Sequence, residues 1–215
     1  MIETLDQFGI VTLNVELSKM SSYRIGGTAE MVIEPQSIEQ LVNCINYLNI
    51  AQLNYKVIGY GSNLLFSDDP YNGIIVKINK YLQKIEISDD CVYAEAGVGL
   101  IRLAHYCVNN GWGGLEFASG IPGSLGGALF MNAGAYQRSM YDVVNRVLVY
   151  QNNELKWIDR DHIKVDYRYS NFMEDPTCII CAAELNLHKC DKDTAQKMMK
   201  DRLERRLNSQ PLEYP

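Results

Sequence analysis

The sequence predicts an α+β protein made of two small units, and three observations predict it. Between short apolar runs at 31–34 and 55–58, Ile38, Leu41, Val42, Ile45 and Leu48 recur on one helical face. Apolar runs separated by polar turns, 84–88 with 92–95 and 143–150 with 154–158, read as antiparallel hairpins. Two glycine-rich stretches, 57–65 and 113–136, fall between such elements. Glycine gives up more backbone entropy on folding than any other residue. Stretches like these therefore belong where the backbone needs positive φ or lies directly against a ligand.

The first unit spans 1–79. Residues 11–20 read as an entry strand, followed by the turn Ser21-Ser22-Tyr23-Arg24-Ile25-Gly26-Gly27-Thr28-Ala29. Arg24 there serves either an anion or the surface. Ser37, with Gln40 three residues later, matches a capping box opening the helix. A strand at 74–78 closes the unit. The second unit spans 80–190. Its first hairpin turns at Asp89-Asp90, and Leu100, Leu103, Ala104, Cys107 and Val108 then form a helical stripe with Gly111 suited to the C-cap. Tyr167-Arg168-Tyr169-Ser170 makes a polar-aromatic turn before a strand at 178–187. A charged helix at 193–208, with Ala195, Met198, Met199, Leu203 and Leu207 on one face and Pro211 ending it, belongs to a closing segment, 191–215.

Composition narrows the function. A hydrophobic content of 47% permits a sizeable core, and the formal charge of −6 argues against nucleic acid or an anionic membrane as partner. No apolar run approaches the roughly 20 residues of a membrane span, and the N-terminus lacks a basic-then-apolar leader, which together point to the cytoplasm. Of the six cysteines (44, 91, 107, 178, 181, 190), Cys178 and Cys181 have metal-site spacing but sit in a strand pattern. There is no second such pair, and His105, His162 and His188 are scattered, so buried thiols and no metal are expected.

The two glycine stretches carry the chemistry. Gly59-Tyr60-Gly61-Ser62-Asn63-Leu64 follows an apolar run and offers free amides, a hydroxyl and a carboxamide to an anion. It is neither a Rossmann fingerprint, lacking the third glycine and a following helix pattern, nor a Walker loop, lacking Gly-Lys-Ser/Thr. Gly120-Ile121-Pro122-Gly123-Ser124, continued by Gly126-Gly127-Ala128, reads as a turn whose amides point outward into a concavity, a suitable seat for phosphate or pyrophosphate. The plain alternative for either is a loop crossing the core.

With Tyr23–Ala29, Gly114–Ala128, Met131-Asn132-Ala133-Gly134-Ala135-Tyr136, Tyr167–Ser170 and Gln210-Pro211-Leu212-Glu213-Tyr214-Pro215, these segments resemble in order and spacing the UDP-N-acetylenolpyruvoylglucosamine reductase (MurB) family of peptidoglycan precursor synthesis. The resemblance implies a vanillyl-alcohol-oxidase-type (PCMH) FAD-binding domain of two α+β subdomains. It further implies a cytoplasmic flavoenzyme that takes hydride from NADPH and reduces an enolpyruvyl UDP-sugar, with a serine supplying the proton. Gly59, Tyr60, Gly61, Ser62, Asn63 and Leu64 would grip the FAD together with Gly120, Ile121, Pro122, Gly123, Ser124, Gly126, Gly127 and Ala128. Asn132, Gly134 and Tyr136 would lie along it. Arg168 matches the catalytic arginine of the Tyr-Arg-x-Ser motif, suited to stabilising the enolate-like charge that develops as hydride arrives. Its plain alternative is a salt bridge anchoring the turn.

Two departures accompany the resemblance. Tyr60 stands where the family has a third consecutive glycine, and the chain stops at Pro215, before the family's Ser-Ala-Gly-Ser-x-Phe segment with its proton-donating serine and substrate domain. The first reading is therefore a reductase lacking that domain in this chain, not competent for full turnover. The alternatives are a non-catalytic FAD-binding regulator or scaffold, or another FAD-dependent oxidase sharing the fold. Retention of Arg168 in its motif favours the first.

Overall fold

Parallel strands joined through one helix organise the first part of the chain, and antiparallel hairpins the second. The structure, a computed structural model, describes residues 2–88 and 91–210. They fall into two compact units that join in sequence between Gln83 and Lys84. In the first the order is α1 (Ile2–Leu5), β1 (Ile10–Glu16), β2 (Thr28–Glu34), α2 (Ile38–Ile50), β3 (Tyr55–Ile58) and β4 (Tyr71–Lys77). The second runs β5 (Ile85–Ile87), β6 (Val92–Glu95), α3 (Leu100–Asn109), β7 (Trp112–Gly113), α4 (Leu125–Phe130), β8 (Gly134–Ala135) and β9 (Arg138–Ser139). It continues with β10 (Val144–Gln151), β11 (Glu154–Asp159), β12 (Val165–Asp166), β13 (Tyr169–Ser170), β14 (Ile179–Leu185), β15 (His188–Lys189) and α5 (Lys192–Ser209).

The first sheet has the order β1-β2-β4-β3. β1 pairs antiparallel with β2, whereas β2 and β3 both run parallel to β4. Consecutive residues Met31, Val32 and Ile33 on β2, and Ile74, Ile75 and Val76 on β4, are buried, so the centre of the sheet is covered on both faces. α2 buries Leu41, Cys44, Ile45 and Leu48, residues of the stripe or its flank. Its N-cap forms as expected, with the Gln40 amide donating to Ser37 Oγ at 3.1 Å. The return arm differs from a full box: Gln40 Oε1 accepts from the Gln36 amide at 2.8 Å, one residue before the cap. A further cluster joins Leu17, Met20, Ala29, Val32, Ile58 and Ile75, with Leu64 and Phe66 packed against it. It anchors the apolar end of the first glycine loop.

The second sheet, β11-β10-β14-β6-β5, is antiparallel throughout. β10 and β11 turn at Asn152-Asn153, both with positive φ (53° and 62°), the backbone of a tight two-residue hairpin. The turn expected at Asp89-Asp90 lies outside the described residues, as does Pro211, but β5 and β6 pair as a hairpin. Arg146 and Glu184, directly opposite across β10 and β14, form two parallel hydrogen bonds of 2.7 Å. α3 buries its whole expected stripe, and Gly111 follows it at φ 78°. Of the apolar residues on α5, Ala195 and Met199 are buried while Met198, Leu203 and Leu207 stand exposed, so the smaller part of the sequence stripe is used.

Cys44, Cys107, Cys178 and Cys181 are free and buried, as their apolar settings require. Burial pushes each thiol up to about 12, from an ordinary value of 9.0. Unfolding releases thiols that ionise near their ordinary value, so their contribution to stability is fully present below pH 9 and is lost as pH rises from 9 towards 12. Urea unfolding across that range measures it; a stability that rises there contradicts it. No helix among the described residues is long and apolar enough to cross a membrane.

Gly61 (φ 72°) is the position where the fold depends most on glycine, because a Cβ there would run into the Met20 carbonyl. Gly61→Ala should lower the unfolding free energy by about 2 kcal/mol or more. Urea titration checks this, and an unchanged midpoint contradicts it.

Candidate flavin-binding site

In the first unit the loop from Gly59 to Leu65 leaves β3 and is held from below by the segment after β1. The Ser22 amide donates to the Gly61 carbonyl at 3.3 Å, and Ser21 Oγ donates to the Leu64 carbonyl at 2.7 Å. Tyr60, the departure from three glycines, is 39% exposed, and its hydroxyl meets Gln83 Nε2 at 3.2 Å. The larger side chain thus projects outward and leaves the close approach at Gly61 intact. No hydrogen bond among the described residues uses the amides of Gly59, Gly61 or Asn63. Arg24 (φ 54°) is exposed and lines an open hollow with Glu16, Ser18, Lys19 and Ser21. The neighbouring Gly26-Gly27 pair went unassigned on sequence. It lets two chain segments cross: the Gly27 amide donates to the Ser67 carbonyl at 2.8 Å, and a Cβ on Gly26 would lie 2.6 Å from Phe66 Cβ.

In the second unit Gly120–Ala128 differs from the outward-facing turn that its composition implied. The Leu125 and Gly126 amides donate to the Val98 and Ala96 carbonyls at 2.8 and 2.9 Å, closing the loop onto the backbone after β6. Ser124 caps α4 by accepting from the Gly127 amide at 3.3 Å, and the Ala128 amide bonds to the Ser124 carbonyl at 2.9 Å. Gly126 is needed for space, since its Cβ would sit 3.0 Å from that of Ala96. The amides of Gly123 and Ser124 have no acceptor among the described residues. Pro122 is exposed, and Gly120 and Ile121 are half-buried. Gly120 faces Arg206 of α5, whose Nη1 is 3.3 Å from the place of a Cβ and whose Nε is buried without a partner.

The segment after α4 carries three non-glycine residues at positive φ: Asn132 (44°), Tyr136 (55°) and Gln137 (61°). Tyr136 and Gln137 form the turn between β8 and β9. The Tyr136 hydroxyl donates to the Arg202 carbonyl at 3.0 Å, and the Arg202 guanidinium stacks 4.9 Å from the Tyr136 ring centre. Arg168, also left-handed (φ 55°), occupies the turn of the β12–β13 hairpin. Three hydrogen bonds stitch the hairpin to the segment: Ser170 Oγ to the Phe130 carbonyl (2.7 Å), Asn132 Nδ2 to the Asp166 carbonyl (2.9 Å) and Arg168 Nη2 to the Gly134 carbonyl (2.9 Å). Arg168, Asn132 and Gly134 are therefore brought together. The salt bridge weighed as an alternative role for Arg168 does not form among the described residues, since its anchor is a carbonyl.

Non-glycine residues at positive φ are costly and gather where the surrounding structure enforces a functional geometry. Asn132 Oδ1 is buried and unpartnered. Each unit, taken by itself, offers what a dinucleotide's anionic diphosphate and N–H or O–H donors need: uncommitted amides and space at Gly61 in the first, and uncommitted amides, space at Gly126 and the Asn132 acceptor in the second. The residues present fit FAD. Arg202 against Tyr136 and Arg206 against Gly120 are neighbours of these segments that the sequence reading did not single out; their spacing of four, which puts two cations on one face of α5, was the available signal. No group of described residues could hold a metal ion.

Comparison with known proteins bears on the same residues. Residues 29–154 match the family model described as FAD binding domain, from β2 into the β10–β11 hairpin. The UDP-N-acetylenolpyruvoylglucosamine reductase of Syntrophomonas wolfei is 37% identical over 206 residues, covering 95% of this chain and 69% of the relative. That of Carboxydothermus hydrogenoformans is 41% identical over 204 residues, covering 94% and 67%. The crystal structure of Thermus caldophilus MurB superposes with a TM-score of 0.81 at 25% identity, over 94% of this chain and 71% of that one. Alkyldihydroxyacetonephosphate synthase, at 15% identity and a TM-score of 0.59 over 83% of this chain and 38% of that one, shares the fold. The fold is thus the α+β architecture of PCMH-type FAD-binding domains. Similarity of this extent, with the glycine loops and the Arg168 hairpin in place, means that the chain belongs to the UDP-N-acetylenolpyruvoylglucosamine reductase family of flavin oxidoreductases.

Proposed function

We propose that the chain binds FAD and serves the NADPH-dependent reduction of UDP-N-acetylglucosamine enolpyruvate to UDP-N-acetylmuramate, with Arg168 as the group that stabilises developing charge. The observation that carries this reading is the setting of Arg168. Its guanidinium is held by a backbone carbonyl and lies 5.3 Å from the Tyr167 ring centre, and no carboxylate among the described residues neutralises its charge. A guanidinium merely locking a turn needs no such reserve.

Flavin, when bound, supplies the hydride carrier that no side chain provides. The amides of Gly59, Gly61 and Asn63 in the first unit, and of Gly123 and Ser124 in the second, would meet oxygen atoms of the cofactor. Asn132, Gly134 and Tyr136 would line it beside Arg168. Ser62, Leu64, Gly120, Ile121, Pro122, Gly126, Gly127 and Ala128 shape these loops. Hydride addition to the enolpyruvyl double bond places negative charge on the carbon next to the carboxylate, and the Arg168 fork would stabilise it as it delocalises into that carboxylate. The anchor to Gly134 holds one of the five donors, leaving the rest for substrate.

Assayed with NADPH and the enolpyruvyl sugar nucleotide, Arg168→Ala should lower turnover by about 100-fold or more. Its FAD dissociation constant should stay within about twofold of the parent's, because the loops that grip the cofactor are untouched. Turnover equal to the parent's contradicts the role given to Arg168. FAD titrated into the parent chain should show saturable quenching of flavin fluorescence, and its absence contradicts the reading as a whole.

A further inference from the structure

Asn132, two residues from the Gly134 carbonyl that anchors Arg168, carries a buried polar atom without a partner among the described residues. It is 7% exposed, and its backbone takes a left-handed conformation, φ 44°, that asparagine tolerates better than most side chains. One end of its carboxamide is engaged, Nδ2 donating to the Asp166 carbonyl at 2.9 Å. That carbonyl fixes the orientation of the amide, because turning it over would set oxygen against oxygen. Oδ1 is left buried with no donor. A buried acceptor without a donor is costly, and in a native structure it calls for an explanation.

The backbone carbonyl that Asn132 holds belongs to the hairpin carrying Arg168. Asp166 pairs with Tyr169 across the turn, its carboxylate accepts from the Tyr167 amide at 2.6 Å, and Arg168 reaches back to Gly134, two residues beyond Asn132. Asn132 is therefore the side chain with one end on the hairpin and the other end open.

We propose that Asn132 is a positioning residue for Arg168: its Oδ1 accepts an N–H or O–H of bound FAD while its Nδ2 holds the Asp166 carbonyl, so cofactor occupancy tightens the Arg168 hairpin. This rests on the flavin reading above and adds a link between the cofactor and the charge-stabilising group. Occupancy supplies the missing donor and braces the carboxamide at its second end, which strengthens its hold on the Asp166 carbonyl. Arg168 is then ordered by the cofactor before substrate arrives.

Two variants separate the ends of the link. Asn132→Gly accepts the left-handed backbone without strain and removes both ends. Asn132→Asp keeps an acceptor but sets an oxygen against the Asp166 carbonyl. FAD affinity is read by flavin fluorescence, and hairpin order by amide hydrogen exchange over residues 165–170 with and without FAD. In the parent chain FAD should slow that exchange. Asn132→Gly should weaken FAD binding by about tenfold. Asn132→Asp should bind FAD within about threefold of the parent yet lose the slowing. Circular dichroism confirms the fold of each variant, and should Asn132→Gly fail to fold, the exchange result for Asn132→Asp decides. Unchanged FAD affinity in Asn132→Gly, the outcome if a water alone satisfies Oδ1, overturns the proposal, as does slowing retained in Asn132→Asp. A parent chain that binds no FAD overturns the flavin reading itself.

Discussion

Three hydrogen bonds between the hairpin bearing Arg168 and the end of α4 with the segment that follows it are the constraint on which the position of Arg168 depends. Each runs from a side chain to a backbone carbonyl: Ser170 to Phe130, Asn132 to Asp166 and Arg168 to Gly134. Such bonds set position without consuming charge. A carboxylate in place of the Gly134 carbonyl would hold the guanidinium as firmly but neutralise it, and the same contact could no longer stabilise an anion. Ser170 is fully buried, so the near end of the hairpin is fixed by a hydrogen bond sheltered from water. The far end, with Tyr167 84% exposed, stays open to whatever approaches Arg168.

The glycine loops divide two tasks that composition alone does not separate. Some glycines leave amides free: Gly59 and Gly61 in the first unit and Gly123 in the second have no intramolecular acceptor among the described residues. Others remove a side chain so that backbones can touch. Gly126 lies against Ala96, Gly27 beneath the backbone of Asp68 and Asp69, and Gly134 beneath that of Arg138. A loop that offers amides to an anion must itself be rigid, or the ordering entropy on binding would consume the gain. The packing glycines supply that rigidity by bringing their loops within hydrogen-bonding range of neighbouring backbone.

Much of this was legible in the sequence because it depends on local patterning. The α2 and α3 stripes, a hairpin turn within 151–153 and the buried character of Cys178 and Cys181 follow from periodicities of 3.6 and 2 and from turn chemistry. The use of individual amides was not legible. Whether the Gly126 amide faces a ligand or the Ala96 carbonyl depends on a contact thirty residues away in sequence, which no local rule reports. The roles of Arg202 and Arg206 were hidden for the same reason, since α5 reads as a charged surface helix until Tyr136 and Gly120 are seen beside it. Arg168 was legible as a residue through its motif, but its carbonyl anchor, which separates a charge stabiliser from a structural ion pair, appears only in the fold.

The central claim is that uncommitted amides in the glycine loops and the Asn132–Tyr136 segment hold FAD. The most direct measurement is amide hydrogen exchange across the whole chain, with FAD added to saturation. The account predicts slowed exchange at Gly59, Gly61 and Asn63, at Gly123 and Ser124, and through Asn132–Tyr136, while the already bonded amides of Leu125 and Gly126 change little. Exchange unaltered at those loops, or slowed only at sites remote from them, would contradict it.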